Sequence, residues 1–173
     1  MNSKNKILFY EYNVIGIIIG SKSDWKVIKN SIGLFLYFKI PYEINIVSAH
    51  RSPYNMINYA SYAKKRFLKN IMAGAGGSAH LPGMTSSFSS LPVSGVPIKS
   101  NYFNGLDSFF SIIQMPKGIS VASFSIGKSG SINSSINIIY NLSNLYIKLY
   151  NKLLLFRKYQ NNKSKNNYFY EIK

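Results

Sequence analysis

The chain is expected to fold as one α/β domain built on a five-stranded parallel sheet covered by helices on both faces. Three observations predict this. The 173 residues match the size of one domain. Short apolar runs alternate along the chain with longer stretches of helical character, the order that right-handed crossovers turn into a doubly wound sheet. The first run, Val14-Ile-Gly-Ile-Ile-Ile19, is apolar at every position apart from one glycine, as expected of a strand buried on both faces.

Each element follows from local chemistry. Gly20-Ser21 ends the first strand, and a helix is expected from Asp24 to about Phe38, with Ser23 placed to cap its free N–H groups. Tyr42 to Val47 alternates like a second strand. Pro53 suits the first turn of a helix running to about Leu68. Ile71-Met-Ala-Gly74 forms a third strand, followed by a helix over Ser78 to Ser89 interrupted by Pro82 and Gly83. Pro92 to Val96 is the fourth strand, Leu106 to Met115 the next helix, Ile119 to Ser125 the fifth strand, and one long helix covers Ser131 to Tyr150 or beyond. Residues 1–13 read as an N-terminal extension, 14–150 as the domain, and 151–173 as a basic helix end and polar tail.

Composition narrows the chemistry. An apolar fraction of 46% excludes a disordered chain, and the absence of Cys excludes a disulfide scaffold, a zinc–thiolate site and a thiol nucleophile. The formal charge of +16 invites a nucleic-acid reading. It is diluted, because the cations are spread along a chain rich in Asn, Ile, Lys, Phe and Tyr, a pattern that AT-rich coding produces by itself. The denser group Lys64, Lys65, Arg66 and Lys69 reads as a solvated helix face. Glu11 and Asn13 interrupt the apolar stretch Ile7 to Ile19, so it is not read as a signal peptide, and no apolar run reaches the ~18 residues that a membrane span needs. A cytoplasmic protein is expected, with no nucleic-acid or membrane partner.

In a doubly wound sheet, ligands bind beyond the carboxyl ends of the strands, which singles out the loops after strands one, two and three. The first, Gly20-Ser21-Lys22-Ser23-Asp24-Trp25, opens a helix with two hydroxyls and free N–H groups, a place for a phosphate, and Asp24 beside it suits ribose hydroxyls. A structural Ser-rich cap explains the same residues. The second, Ser48-Ala49-His50-Arg51-Ser52-Pro53, puts a proton-carrying imidazole beside a guanidinium able to hold a phosphate in a fork. The third, Ala73 to Gly83, uses Gly74, Gly76 and Gly77 to let backbone approach a planar ligand. Its glycines lie in the wrong turn for a dinucleotide fingerprint, so NAD and ATP are disfavoured. His80 is either a second catalytic group or a residue that orients its loop. Both histidines of the chain fall in these loops, and one of the five carboxylates, Asp24, falls in the remaining one.

These runs resemble the class I N5-carboxyaminoimidazole ribonucleotide mutases, the catalytic-subunit family of phosphoribosylaminoimidazole carboxylase in purine synthesis. The resemblance covers about Val14 to Tyr150. It rests on the three loops, on Ala79-His-Leu-Pro-Gly83, on Leu91-Pro-Val93 with Gly95-Val-Pro97, and on Asp107-Ser108 with Ser111-Ile-Ile-Gln-Met-Pro116. It implies a flavodoxin-like three-layer sandwich, a homo-octamer, no metal and no organic cofactor. By position, His50 matches the family's general acid/base. Ser21, Asp24 and Arg51 match substrate-binding residues, with Ser23 and Ser48 beside the phosphate. Ala75 and Gly76 match backbone against the base, and His80 and Leu81 match residues closing the carboxylate pocket.

The chain departs from the family pattern at Ser78, at Thr85-Ser86-Ser87, at Ser134-Ser135 and at Asn70, where small or apolar residues are usual. A weakened core leaning on oligomerisation is expected. The competing readings are the class II carboxylase, which adds free carbon dioxide, and an inactive remnant; Trp25 and Gln114-Met115-Pro116 resemble class I more closely.

Overall fold

A computed structural model of the chain describes residues 14–165, so the extension over residues 1–13 and the tail over 166–173 lie outside the described residues. Contacts divide the chain into two units, one ending at Ile138 and the other starting at Ile139. The whole sheet lies in the first. β1 (Ile15–Ile19), buried at every position, lies between β2 (Tyr42–Ile46) and β3 (Asn70–Gly76). β4 (Val93–Ile98) and β5 (Ala122–Ser123) complete the order β2-β1-β3-β4-β5, with every pairing parallel.

The helices are α1 (Trp25–Phe38), α2 (Pro53–Tyr62), α3 (Leu81–Phe88), α4 (Leu106–Ile113), α5 (Lys128–Ser143) and α6 (Ile147–Lys165). Alternation along the strands assigns the layers. Ile71, Ala73 and Ala75 of β3 join a buried cluster with Met56 of α2, Leu81 of α3 and Ile112 of α4. Gly74, turned the other way, lies against Ile28 of α1, and Ser131 of α5 donates a hydrogen bond to the Ile28 carbonyl at 3.2 Å. The result is the expected flavodoxin-like three-layer sandwich.

Several element boundaries differ from expectation. Ser21, not Ser23, caps the first helical turn: its hydroxyl accepts the Ser23 N–H at 3.1 Å while the Asp24 carboxylate accepts the Ser21 N–H at 3.0 Å. This reciprocal box needs a hydroxyl three residues before an acid, a spacing that only Ser21 has. The helix expected to reach Leu68 stops at Tyr62. A 3-10 turn over Lys64–Arg66 and a left-handed Phe67 (φ 68°) turn the chain back toward the sheet. Within the supposed solvated face, Arg66 pairs with Glu43 at 3.0 Å and lies over the Tyr59 ring.

Pro82 and Gly83 do not interrupt α3. Pro82 sits in its first turn, where no N–H is required. At Gly83 a Cβ would come within 2.8 Å of Met115 Sδ, so the Met115 side chain packs directly on the glycine and would have to shift for a larger residue. The helix expected to reach Met115 ends at Ile113, ahead of Pro116. β5 is reduced to two paired residues at the sheet edge. The single long C-terminal helix is two, α5 and α6. Ser143 bonds back to the Tyr140 carbonyl at 2.7 Å at the end of α5, an alternative to continued helix.

The polar departures are mostly absorbed. Ser94 donates to Asn70 Oδ1 at 3.4 Å across β4 and β3, Ser86 to the Ser120 carbonyl at 2.7 Å, Ser87 to the Met84 carbonyl at 2.8 Å and Ser135 to the Ser131 carbonyl at 3.0 Å. Thr85 Oγ1 and Ser134 Oγ are buried without a protein hydrogen-bond partner. A buried unsatisfied hydroxyl costs about 1–3 kcal/mol. Thr85→Val and Ser134→Ala are each therefore expected to raise stability by about 1 kcal/mol, read as a higher urea midpoint at fixed protein concentration. A lower midpoint in either would show that its hydroxyl is satisfied.

Candidate active site

All four loops leaving the carboxyl ends of β1, β2, β3 and β4 meet in one cleft of about 590 Å³, within the range of small-molecule sites. Each site residue named from the sequence lines it: Ser21, Ser23 and Asp24 after β1; Ser48, His50 and Arg51 after β2; Ala75, Gly76, His80 and Leu81 at the end of β3 and the start of α3.

The β1 loop is an oxygen-lined corner. The Ser21 and Ser23 hydroxyls are in direct contact. Asp24 is buried beneath them, and burial is the largest influence on its carboxyl, lifting its pKa above the ordinary 3.8. The Ser21 N–H, the Ser23 hydroxyl, the Gly20 backbone and the Arg51 charge pull it partly back.

The β2 loop leans on this corner. Arg51 donates from Nη2 to the Gly20 carbonyl at 3.2 Å, and its backbone N–H donates to Ser48 Oγ at 3.1 Å. Ser48 thus holds the turn that carries both His50 and Arg51. The guanidinium stays exposed, with donors free for an anion.

The two histidines meet across the cleft. His50 Nε2 and His80 Nδ1 lie 2.8 Å apart, with the rings edge to face at 79°. One ring nitrogen of the pair donates and the other accepts, so each ring fixes the orientation of its neighbour. His80 occupies the N-cap position of α3 but makes no side-chain cap bond. Its contact is with His50.

The glycine loop runs along the floor. Gly77 takes a left-handed conformation (φ 67°), which a side chain would strain, and its N–H is held by Ser108 Oγ at 2.8 Å.

Sequence reasoning missed the fourth loop. Lys99, Ser100 and Asn101, directly after β4, line the cleft and add a second cation to Arg51. The signal was present: a parallel β4 beside β3 must end on the same edge as the other three strands. Among the described residues, no three His, Cys, Asp or Glu side chains cluster so as to hold a metal ion, and no helix is long and apolar enough to cross a membrane.

The family model described as AIR carboxylase matches residues 14–163. The N5-carboxyaminoimidazole ribonucleotide mutase of Vibrio cholerae is 53% identical over 122 residues, spanning 70% of this chain and 76% of that protein. The chain belongs to the AIR carboxylase family. Another protein of that mutase name, from Bacillus subtilis, is 50% identical over 123 residues, 71% of this chain and 76% of its own length. The crystal structure of Treponema denticola PurE superposes with a TM-score of 0.78 at 23% identity, covering 89% of this chain and 95% of that one, and shows the shared fold.

In this AIR carboxylase family member Asp24 has a testable thermodynamic signature. A carboxyl whose pKa is raised on folding binds more protons in the folded than in the unfolded chain, so stability falls as pH rises from 3.8 through the raised value. Asp24→Asn removes that loss and keeps an acceptor for the Ser21 N–H. The variant is expected to be at least as stable as the parent at pH 7, with the advantage vanishing below about pH 4, the ordinary carboxylate range. Urea unfolding at the two pH values checks this, and an Asn variant less stable at pH 7 would contradict it.

Proposed function

We propose that the chain is an N5-carboxyaminoimidazole ribonucleotide mutase, which moves the carboxylate of the substrate's carbamate from the exocyclic nitrogen to carbon 4 of the imidazole in purine biosynthesis. The observation that carries the reading is the gathering in one cleft of every residue matched to the family's site. About half of the residues are identical to relatives that bear this name, over most of the chain.

The site residues take these roles. Ser21, Ser23, Ser48 and Arg51 bind the 5′-phosphate, where hydroxyls and a guanidinium replace its hydration. Asp24 accepts from the ribose hydroxyls. Ala75 and Gly76 lie against the imidazole, and His80 and Leu81 close the pocket around the migrating carboxylate.

His50 carries the proton in both halves. In the first, the carbamate N–C bond breaks, the electron pair stays on nitrogen, and protonated His50 gives its proton to that nitrogen as carbon dioxide forms. In the second, carbon 4 attacks the carbon dioxide held in the cleft, and the now neutral imidazole removes the proton from carbon 4, restoring aromaticity. Atoms and charge balance, because the proton returns to His50. The contact with His80 keeps the imidazole aimed. The resemblance implies no metal or organic cofactor for this chemistry.

The working form proposed is a cytoplasmic homo-octamer. Its support is the resemblance and the exposed apolar side chains Leu106, Phe110 and Ile113 on one side of α4, surface that a neighbouring copy would cover.

The test mixes purified protein with N5-carboxyaminoimidazole ribonucleotide, and separately with aminoimidazole ribonucleotide plus bicarbonate, following the carbon-4 carboxylate. Faster conversion of the carbamate at low bicarbonate is expected. Activity only in the second mixture would identify a class II carboxylase, and silence in both from a folded oligomer would identify an inactive remnant. His50→Asn is expected to bind the product nucleotide within a fewfold of the parent while turnover falls by about 10²–10⁴. Turnover at the parent rate would remove His50 from the mechanism.

A further inference from the structure

No residue of α4 lines the cleft, yet its first turn is bonded to both loops on the β3–β4 side. Ser108, fully buried, accepts the Gly77 N–H at 2.8 Å and donates to the Ile98 carbonyl at 2.6 Å. A single hydroxyl thus ties the glycine loop to the end of β4. Gly77 takes the left-handed conformation described above, and both Gly77 and Ile98 line the cleft.

Asp107, the residue before it, does the same for the fourth loop. Its Oδ1 accepts from the Ser100 hydroxyl at 2.7 Å, and Ser100 Oγ in turn accepts the Gly105 N–H at 3.3 Å. That bond fixes the turn following Lys99.

We propose that Asp107 and Ser108 are positioning residues of this active site: their side chains hold the glycine loop and the Lys99–Asn101 loop at the spacing that the planar base needs. The inference rests on the functional reading above and adds to it. The Asp107-Ser108 run, noted in the sequence without a chemical role, acquires one. A bare hydroxyl is the right device here, because one oxygen can accept an amide proton and donate to a carbonyl at the same time. Without it, two backbone groups of the cleft wall lose their partner together, and small misplacements near reacting atoms are costly in rate.

A purely structural role predicts something else. An acid in the first turn of α4 also complements the helix dipole, and loss of any buried hydroxyl bond lowers stability. Asp107→Asn separates the first alternative, since it removes the charge and keeps the acceptor for Ser100. Ser135→Ala controls for the second, because it deletes a buried hydroxyl bonded at 3.0 Å to the Ser131 carbonyl, away from the cleft lining.

The experiment measures kcat and KM for N5-carboxyaminoimidazole ribonucleotide, at a temperature where light scattering shows each variant with the parent's assembly. Ser108→Ala is expected to lose about tenfold or more in kcat/KM, through a lower kcat and a higher KM together. Asp107→Ala should lose severalfold, with Asp107→Asn and Ser135→Ala within about twofold of the parent. Ser108→Ala at the parent's kcat/KM, Ser135→Ala falling in parallel, or Asp107→Asn failing as badly as Asp107→Ala would overturn the proposal. If Ser108→Ala does not fold, the Asp107 pair decides. The parent's own turnover tests the functional reading separately. Should the parent be inactive, calorimetric affinity for 4-carboxy-5-aminoimidazole ribonucleotide gives the same comparison between variants.

Discussion

Parallel strand pairing is the constraint on which everything else in this structure depends. With β2, β1, β3 and β4 running the same way side by side, the loops that follow them emerge along one edge, and residues distant in sequence become neighbours. His50 and His80, thirty positions apart, share a 2.8 Å contact. Arg51 reaches back to Gly20, and Gly77 is tied to α4 through Ser108. Reversing any one strand would send its loop to the opposite edge and remove a wall of the cleft. The apolar β1 matters for the same reason. Pairing with both β2 and β3, it sets the spacing between the serine corner and the glycine loop.

The chain has few groups with which to do chemistry, and each one within the described residues has a distinct job. Of its carboxylates, Glu43 is engaged with Arg66, Asp107 accepts from Ser100, and Asp24 is buried under the serine corner. Burial raises the Asp24 carboxyl above its ordinary pKa, so its ionised form is held there at a cost to folding. Hydroxyls do much of the remaining polar work. Ser21, Ser48, Ser100 and Ser108 each fix a loop through a backbone group or a neighbouring side chain, while Ser94 and Asn70 satisfy each other inside the sheet.

Much of this was legible in the sequence, because the signals were local. A β-branched run marks β1, Pro53 marks the start of α2, and the three loops carried unusual residues at strand ends, where ligands bind. The less legible features depend on partners distant in sequence. The end of the helix at Tyr62 follows from a left-handed Phe67 and from Arg66 finding Glu43. The tolerance of Gly83 inside α3 follows from Met115 packing on it. Ser21 rather than Ser23 as the cap was readable from the spacing to Asp24. The role of the β4 loop needed the strand order, since Lys99-Ser100-Asn101 carries no motif of its own. The His50–His80 contact needed the same information, because pattern reading puts both residues on one edge without making them touch.

In the proposed mode of binding, the four loops hold one ribonucleotide with its phosphate at the serine corner and its base between the glycine loop and the two histidines. A crystal structure with 4-carboxy-5-aminoimidazole ribonucleotide bound tests it most directly. Phosphate oxygens are expected on Ser21, Ser23, Ser48 and Arg51, ribose hydroxyls on Asp24, and carbon 4 within reach of His50. A nucleotide bound in the reverse sense, or outside this cleft, would contradict it.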